Sequence, residues 1–131
     1  MRDGRTVKRS GPRGRDDGFE DWHVTLVVVA GPAAGAEHRL AEPRVVLGRG
    51  PAVGIELVDD EISLQHAAVE YGDEGFRVVD LGSTNGTRVN GEPVKSQLLE
   101  HGDRVEIGRH VVQLVLEKRD SAPRVYVLDE T

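Results

Sequence analysis

Three short stretches place charged or hydrogen-bonding groups where the chain must turn: "GRG" at 48–50, "DDEISLQH" at 59–66 and "DLGSTNGTRVNG" at 80–91. Arg49 follows the run "RVVL" and stands between Gly48 and Gly50. Its guanidinium is therefore offered at a loop edge, and its fork of N–H donors matches a phosphate bidentately. Ser63, in the second stretch, has a hydroxyl able to donate to a phosphate oxygen. Thr84 and Asn85 lie in the third. An Asn amide carries both a donor and an acceptor, which suits it to clasp the main chain of an extended peptide. The same stretch holds two Asn-Gly pairs, 85–86 and 90–91. Asn-Gly is the strongest short hairpin signal, because a type I′ turn needs φ > 0 at both central positions.

Other chemistries fit these residues poorly. "GRGPAVG" has the look of a phosphate-binding glycine loop, but the dinucleotide fingerprint must open a helix and this loop leads into the strand-like "IELV". No Gly-Lys-Ser/Thr follows, so a P-loop is excluded as well. Ser63 and His66, preceded by Asp59, Asp60 and Glu61, contain the residue types of a hydrolytic triad. A nucleophile also needs an aligned base, an orienting partner and an oxyanion hole, and three-residue spacing across a loop-to-strand junction provides none of these. The expected role of His66 is to tie loops together by hydrogen bonds. The acidic turns "DDE" and "GDE" lack the alternating oxygen ligands and closing Glu of a calcium loop, so no metal or other cofactor is expected.

Composition bounds what can carry such a site. At 131 residues the chain suits one domain able to bury a core without disulfides, and it contains no Cys. No apolar run approaches the roughly 20 residues needed to span a bilayer, and the N-terminus lacks the apolar segment of a secretory signal. The expectation is a cytoplasmic protein that does not bind membranes. Residues 1–15 hold six Arg and Lys against Asp3 alone, so of the net charge of −6 the remainder carries −11. A folded part so acidic is not built to hold a nucleic acid backbone. Residues 1–21 are read as a disordered basic arm.

From Trp22 onward the texture is that of strands. "HVTLVVVA", "RVVLGR", "HAAVEY", "GFRVVDL", "RVEIG" and "HVVQLVLE" are short, rich in β-branched residues and bounded by Gly, Pro, Asn or Asp. In "RVEIG", Val105 and Ile107 share one face while Arg104 and Glu106 share the other. No stretch makes a convincing amphipathic helix of three turns. The fold class is all-β, a sandwich or barrel. The domain is assigned to 22–118. Residues 119–131 are read as a tail or as the start of a linker to a further domain, since "RVYVLDET" regains apolar alternation.

In order and spacing, Gly-Arg, Ser-x-x-His, "DLGSTNGTRVNG" and "GDRVEIG" resemble the forkhead-associated (FHA) domain, from about Val24 to Glu117. The resemblance implies a β-sandwich of about eleven strands that binds phosphothreonine peptides through loops at one end, without catalysis. It implies that Arg49 and Ser63 hold the phosphate, Thr84 shapes the phosphothreonine site and Asn85 bonds the peptide backbone. Gly48, His66, Gly86 and Thr87 would support the site, and Asn90-Gly91 would be only a turn. The implied partner is a phosphothreonine protein in a Ser/Thr kinase pathway, in a bacterium. A place as the N-terminal sensor of a transcriptional regulator is one expectation; the alternative is a phosphate-independent assembly domain. Phosphorylation of Thr6 or Thr131 would offer a ligand within the chain itself.

Two positions set expectations about specificity. The residue after the serine, often basic or polar in this family, is Leu64, so one auxiliary contact is missing and affinity should be modest. Two residues before the serine, where family members often read the ligand residue three after the phosphothreonine, stands Glu61, with Asp59 and Asp60 beside it. Like charges at short range repel. A phosphothreonine peptide library should therefore select neutral or basic residues at that ligand position; strong selection of Asp there would contradict this assignment.

Overall fold

The computed structural model describes residues 18–51 and 53–119. The arm through residue 17 and the tail from residue 120 lie outside the described residues, and with them Thr6, Thr131 and the late alternation "RVYVLDET". Eleven strands make two sheets, as the resemblance implied. β1 (Trp22–Ala30), β2 (Glu37–Arg39), β7 (Thr87–Val89), β8 (Glu92–Val94), β10 (Arg104–Ile107) and β11 (His110–Lys118) form one sheet, ordered β2-β1-β11-β10-β7-β8. β3 (Arg44–Gly48), β4 (Ile55–Glu56), β5 (Ala67–Gly72), β6 (Gly75–Asp80) and β9 (Ser96–Leu99) form the other, ordered β4-β3-β5-β6-β9.

The core follows from period-two patterning, since alternate side chains of a strand face opposite sides. Val24, Leu26 and Val28 of β1, with Val112, Leu114 and Leu116 of β11, point inward from the first sheet. They meet Leu47, Ala67, Val69, Phe76 and Val78 of the second. A turn of 3-10 helix, Phe19–Asp21, precedes β1. The sequence reading left these residues in the arm because little around them is apolar. One aromatic ring is enough to anchor them: Phe19 stands 6.1 Å from Tyr71 and 6.2 Å from Phe76. Among the described residues no helix is long and apolar enough to cross a membrane.

The two Asn-Gly pairs do different things. Asn90 and Gly91 take φ of 51° and 89° and close a two-residue hairpin in which Val89 faces Glu92. Asn85-Gly86 instead belongs to the 81–86 connection, which leaves one sheet and enters the other. β3 and β6 run toward the same end of the sandwich, and β5 and β7 run away from it. The β3–β4, β4–β5 and β6–β7 loops are thereby brought together on a rigid scaffold.

Gly48 is where that end is packed most tightly. Around it the backbone of β3 is laced to the β4–β5 loop: His66 N–H donates to Leu47 O at 2.9 Å, Arg49 N–H to Ser63 O at 3.0 Å and Gly50 N–H to Leu64 O at 3.3 Å. A Cβ added at Gly48 would lie 2.1 Å from the Leu64 carbonyl oxygen, so no side chain fits. Gly48→Ala should push the two backbones apart and cost about 1–3 kcal/mol, the range for overpacked sites. Urea denaturation checks this, and a change within about 0.5 kcal/mol, ordinary for a surface substitution, would contradict it.

Candidate functional site

The row of residues 61–64 organises the cluster. Glu61 O accepts the Asn85 Nδ2–H at 2.9 Å, Ile62 O accepts Arg49 Nε–H at 2.9 Å, and Ser63 Oγ accepts the Thr84 backbone N–H at 3.0 Å. All four residues expected from the sequence are thus brought together, with Glu61 and Leu64 at the two flanks. Each is held by one group and leaves others available. Arg49 is exposed, and among the described residues Nε is the only nitrogen of its guanidinium with a hydrogen-bond partner, which leaves both Nη atoms available. Ser63 Oγ is oriented as an acceptor, which leaves its own O–H to donate outward. Asn85 keeps its carbonyl oxygen and a second N–H.

His66 is fully buried beneath this row. Its Nδ1 accepts the Ser63 backbone N–H at 3.1 Å, so Nε2 carries the proton and donates to Gly86 O at 2.8 Å. Both ring nitrogens are therefore engaged by backbone, and Ser63 Oγ turns to Thr84 instead. The pair is not a nucleophile and its base. Among the described residues no group of His, Asp and Glu could hold a metal ion.

Asp80 shapes the other loop, a role the sequence reading did not assign. Its Oδ1 accepts the Ser83 hydroxyl at 2.5 Å and the Thr87 hydroxyl at 2.6 Å; its Oδ2 accepts the N–H groups of Gly82 and Ser83, each at 3.0 Å. Ser83 Oγ in turn accepts Gly86 N–H at 2.9 Å. The Asp-x-Gly-Ser order was the available signal, because Asp side chains commonly bond backbone N–H groups two and three residues on. Burial works to raise the Asp80 carboxyl, but the hydroxyls of Ser83 and Thr87 and the two N–H groups outweigh it and hold it below its ordinary value.

Asp59, read from sequence as part of an ordinary acidic turn, is buried and braces the same row from behind. It accepts Glu61 N–H at 2.9 Å and Arg109 N–H at 2.8 Å. Here too burial opposes the charge, and the two N–H groups and the Arg109 guanidinium prevail, lowering its pKa. The buried His110 continues the bracing: its Nδ1 lies 3.3 Å from Asp59 Oδ2, and its Nε2 accepts Ala33 N–H at 3.2 Å.

The chain and its fold have counterparts in known proteins. A family model described as the inner membrane component of T3SS, cytoplasmic domain, matches residues 27–118. The oxoglutarate dehydrogenase inhibitor of Corynebacterium efficiens is 46% identical over 93 residues, covering 71% of this chain and 66% of that protein. The glycogen accumulation regulator GarA of Mycolicibacterium smegmatis is 43% identical over 93 residues, covering 71% of this chain and 59% of its own length. The matches thus span about three fifths to two thirds of these curated relatives. A solved structure from a study of phosphothreonine-dependent FHA domain interactions superposes with a TM-score of 0.66 at 29% identity, covering 72% of this chain and 97% of that one.

The charge state of Asp80 has a measurable consequence. A carboxyl lowered on folding stabilises the fold above its unfolded value, near 3.8, and loses that contribution as pH falls below it. Asp80→Asn should cost about 1–3 kcal/mol at neutral pH, because donors now face an amide. It should also flatten, without abolishing, the fall of stability as pH drops below about 4, since Asp59 is lowered in the same direction. Thermal unfolding across that range, with acid limbs of equal slope in the two proteins, would contradict this.

Proposed function

The chain belongs to the forkhead-associated family, and from that premise we propose that it is a non-catalytic reader of phosphothreonine in a protein or peptide. The observation that carries the reading is the row 61–64. In one loop edge, a guanidinium with free Nη atoms, a hydroxyl with a free proton and a free amide carbonyl oxygen stand side by side. Arg49 and Ser63 take the phosphate, and Thr84, through its backbone N–H on Ser63, fixes the hydroxyl that donates. Asn85 accepts from the main chain of the ligand. Gly48, His66, Gly86 and Thr87 hold these groups in place.

The relatives bear on the setting. One is named for inhibiting an enzyme and the other for regulating glycogen accumulation, which supports a role in metabolic regulation; a Ser/Thr kinase as the source of the phosphothreonine and a cytoplasmic setting are part of the proposal itself. Neither name supports the sequence expectation of a transcriptional sensor. The matched family model, described as part of a secretion apparatus, favours a second reading: assembly that does not depend on phosphate.

Fluorescence anisotropy with phosphothreonine, phosphoserine and unphosphorylated peptides separates the two. A charged hydrogen bond contributes roughly 1.5–3 kcal/mol, so Arg49→Ala should weaken phosphothreonine binding about ten- to a hundredfold while leaving the melting temperature nearly unchanged. Affinity equal for all three peptides, or indifferent to the substitution, would replace the reader with the assembly domain.

A further inference from the structure

Among the described residues, the large apolar side chains left exposed are Val29, Val58 and Leu64. All three stand at the end of the sandwich that bears the site: Val29 next to the last residue of β1, Val58 and Leu64 in the β4–β5 loop. A single exposed aliphatic residue needs no explanation by itself, and what distinguishes Leu64 is its place in the 61–64 row.

Leu64 is fixed in position. Its carbonyl accepts Gly50 N–H, and its side chain lies across that glycine, where an added Cβ would meet Cδ2 at 3.2 Å. The side chain is nonetheless 56% exposed. The bonds along the row give its place relative to a ligand. Asn85 is held at Glu61, Thr84 and Arg49 at Ile62 and Ser63, and Gly50 at Leu64. Leu64 therefore borders the phosphate position on the side away from Glu61. An aliphatic surface kept half in water beside a polar cluster is relieved when an apolar ligand group covers it.

We infer that Leu64 is a specificity-determining residue, selecting ligands with an aliphatic or aromatic side chain within about two residues of the phosphothreonine, on the side away from Glu61. The inference rests on the phosphothreonine-reading function proposed above. Where a basic residue here would reach for the phosphate or an acidic neighbour, Leu64 offers a hydrophobic seat. The ligand this site fits is apolar on one flank and free of acidic residues on the other.

The test is a set of phosphothreonine peptides in which each flanking position in turn is Leu, Phe, Ser, Lys or Glu. Affinities are measured for the full chain, for Leu64→Ser and for Leu64→Arg, with thermal unfolding to establish that each is folded. Wild type should favour Leu or Phe over Ser at one position by about five- to tenfold. That ratio should fall to near one in Leu64→Ser, and Leu64→Arg should favour Glu at the same position. If phosphothreonine binding is intact but wild type shows no apolar preference, or Leu64→Ser keeps it, the selective role of Leu64 is wrong and the reader function stands. If folded wild type binds no phosphopeptide, the reader function falls and this inference with it.

Discussion

One buried imidazole makes two loops into a single surface. The β4–β5 and β6–β7 connections belong to different parts of the chain, and His66 is the buried link between them, beneath the outer links from Asn85 to Glu61 O and from Thr84 to Ser63 Oγ. Fixing loop backbone costs roughly 1–2 kcal/mol per residue. His66 joins them by accepting from Ser63 N–H and donating to Gly86 O while fully buried. The geometry requires the neutral ring protonated at Nε2. Everything above it, from the hydroxyl of Ser63 to the amide of Asn85, inherits its position from that link. Affinity in such a site comes in good part from not having to order it at the moment of binding.

Asp59 and Asp80 hold the same surface from either side, and both do so by collecting N–H and O–H donors. An isolated carboxylate in such surroundings would be costly, whereas one with several donors is held in its charged form. The acidity of the folded part is thus not all directed at the ligand. Two of its carboxylates are internal struts. The Arg109 guanidinium lies 3.5 Å from Asp59 and faces that carboxylate. Arg88 faces Glu106 across the strands. The positive character of the site rests on Arg49.

The fold and the residues proposed to meet the ligand were more readily legible in the sequence than the framework behind them. β-branched runs cut by Gly, Pro and Asn gave the sandwich, because period-two burial leaves a mark on every strand. Arg49, Ser63, Thr84 and Asn85 stood out because the motifs that contain them follow one another in a specific order and spacing, since Ser, Thr and Asn by type alone are ordinary turn residues. Asn90-Gly91 declared its hairpin through the φ it needs. The bracing residues were harder to find. His110 and Asp59 are about fifty positions apart and meet only once β10 and β11 have folded back, and nothing local distinguishes a buried Asp from a solvated one. Phe19 was missed for the opposite reason, its neighbours being polar while its own ring decides where the segment goes.

The pairing of the first and last strands, β1 and β11, fixes where the two ends of the sandwich's chain stand. Trp22 and Lys118 are direct register partners, and Lys118 Nζ sits 5.1 Å from the Trp22 ring. Incoming and outgoing chain therefore leave the sandwich side by side, at the end remote from the 61–64 row. β1 is nine residues long, which at about 3.3 Å per residue separates that doorway from the loops by roughly 30 Å. The unit behaves as a plug with both leads at its back. A segment reaching from either of these strand ends to the 61–64 row must cover about nine extended residues along the sheet.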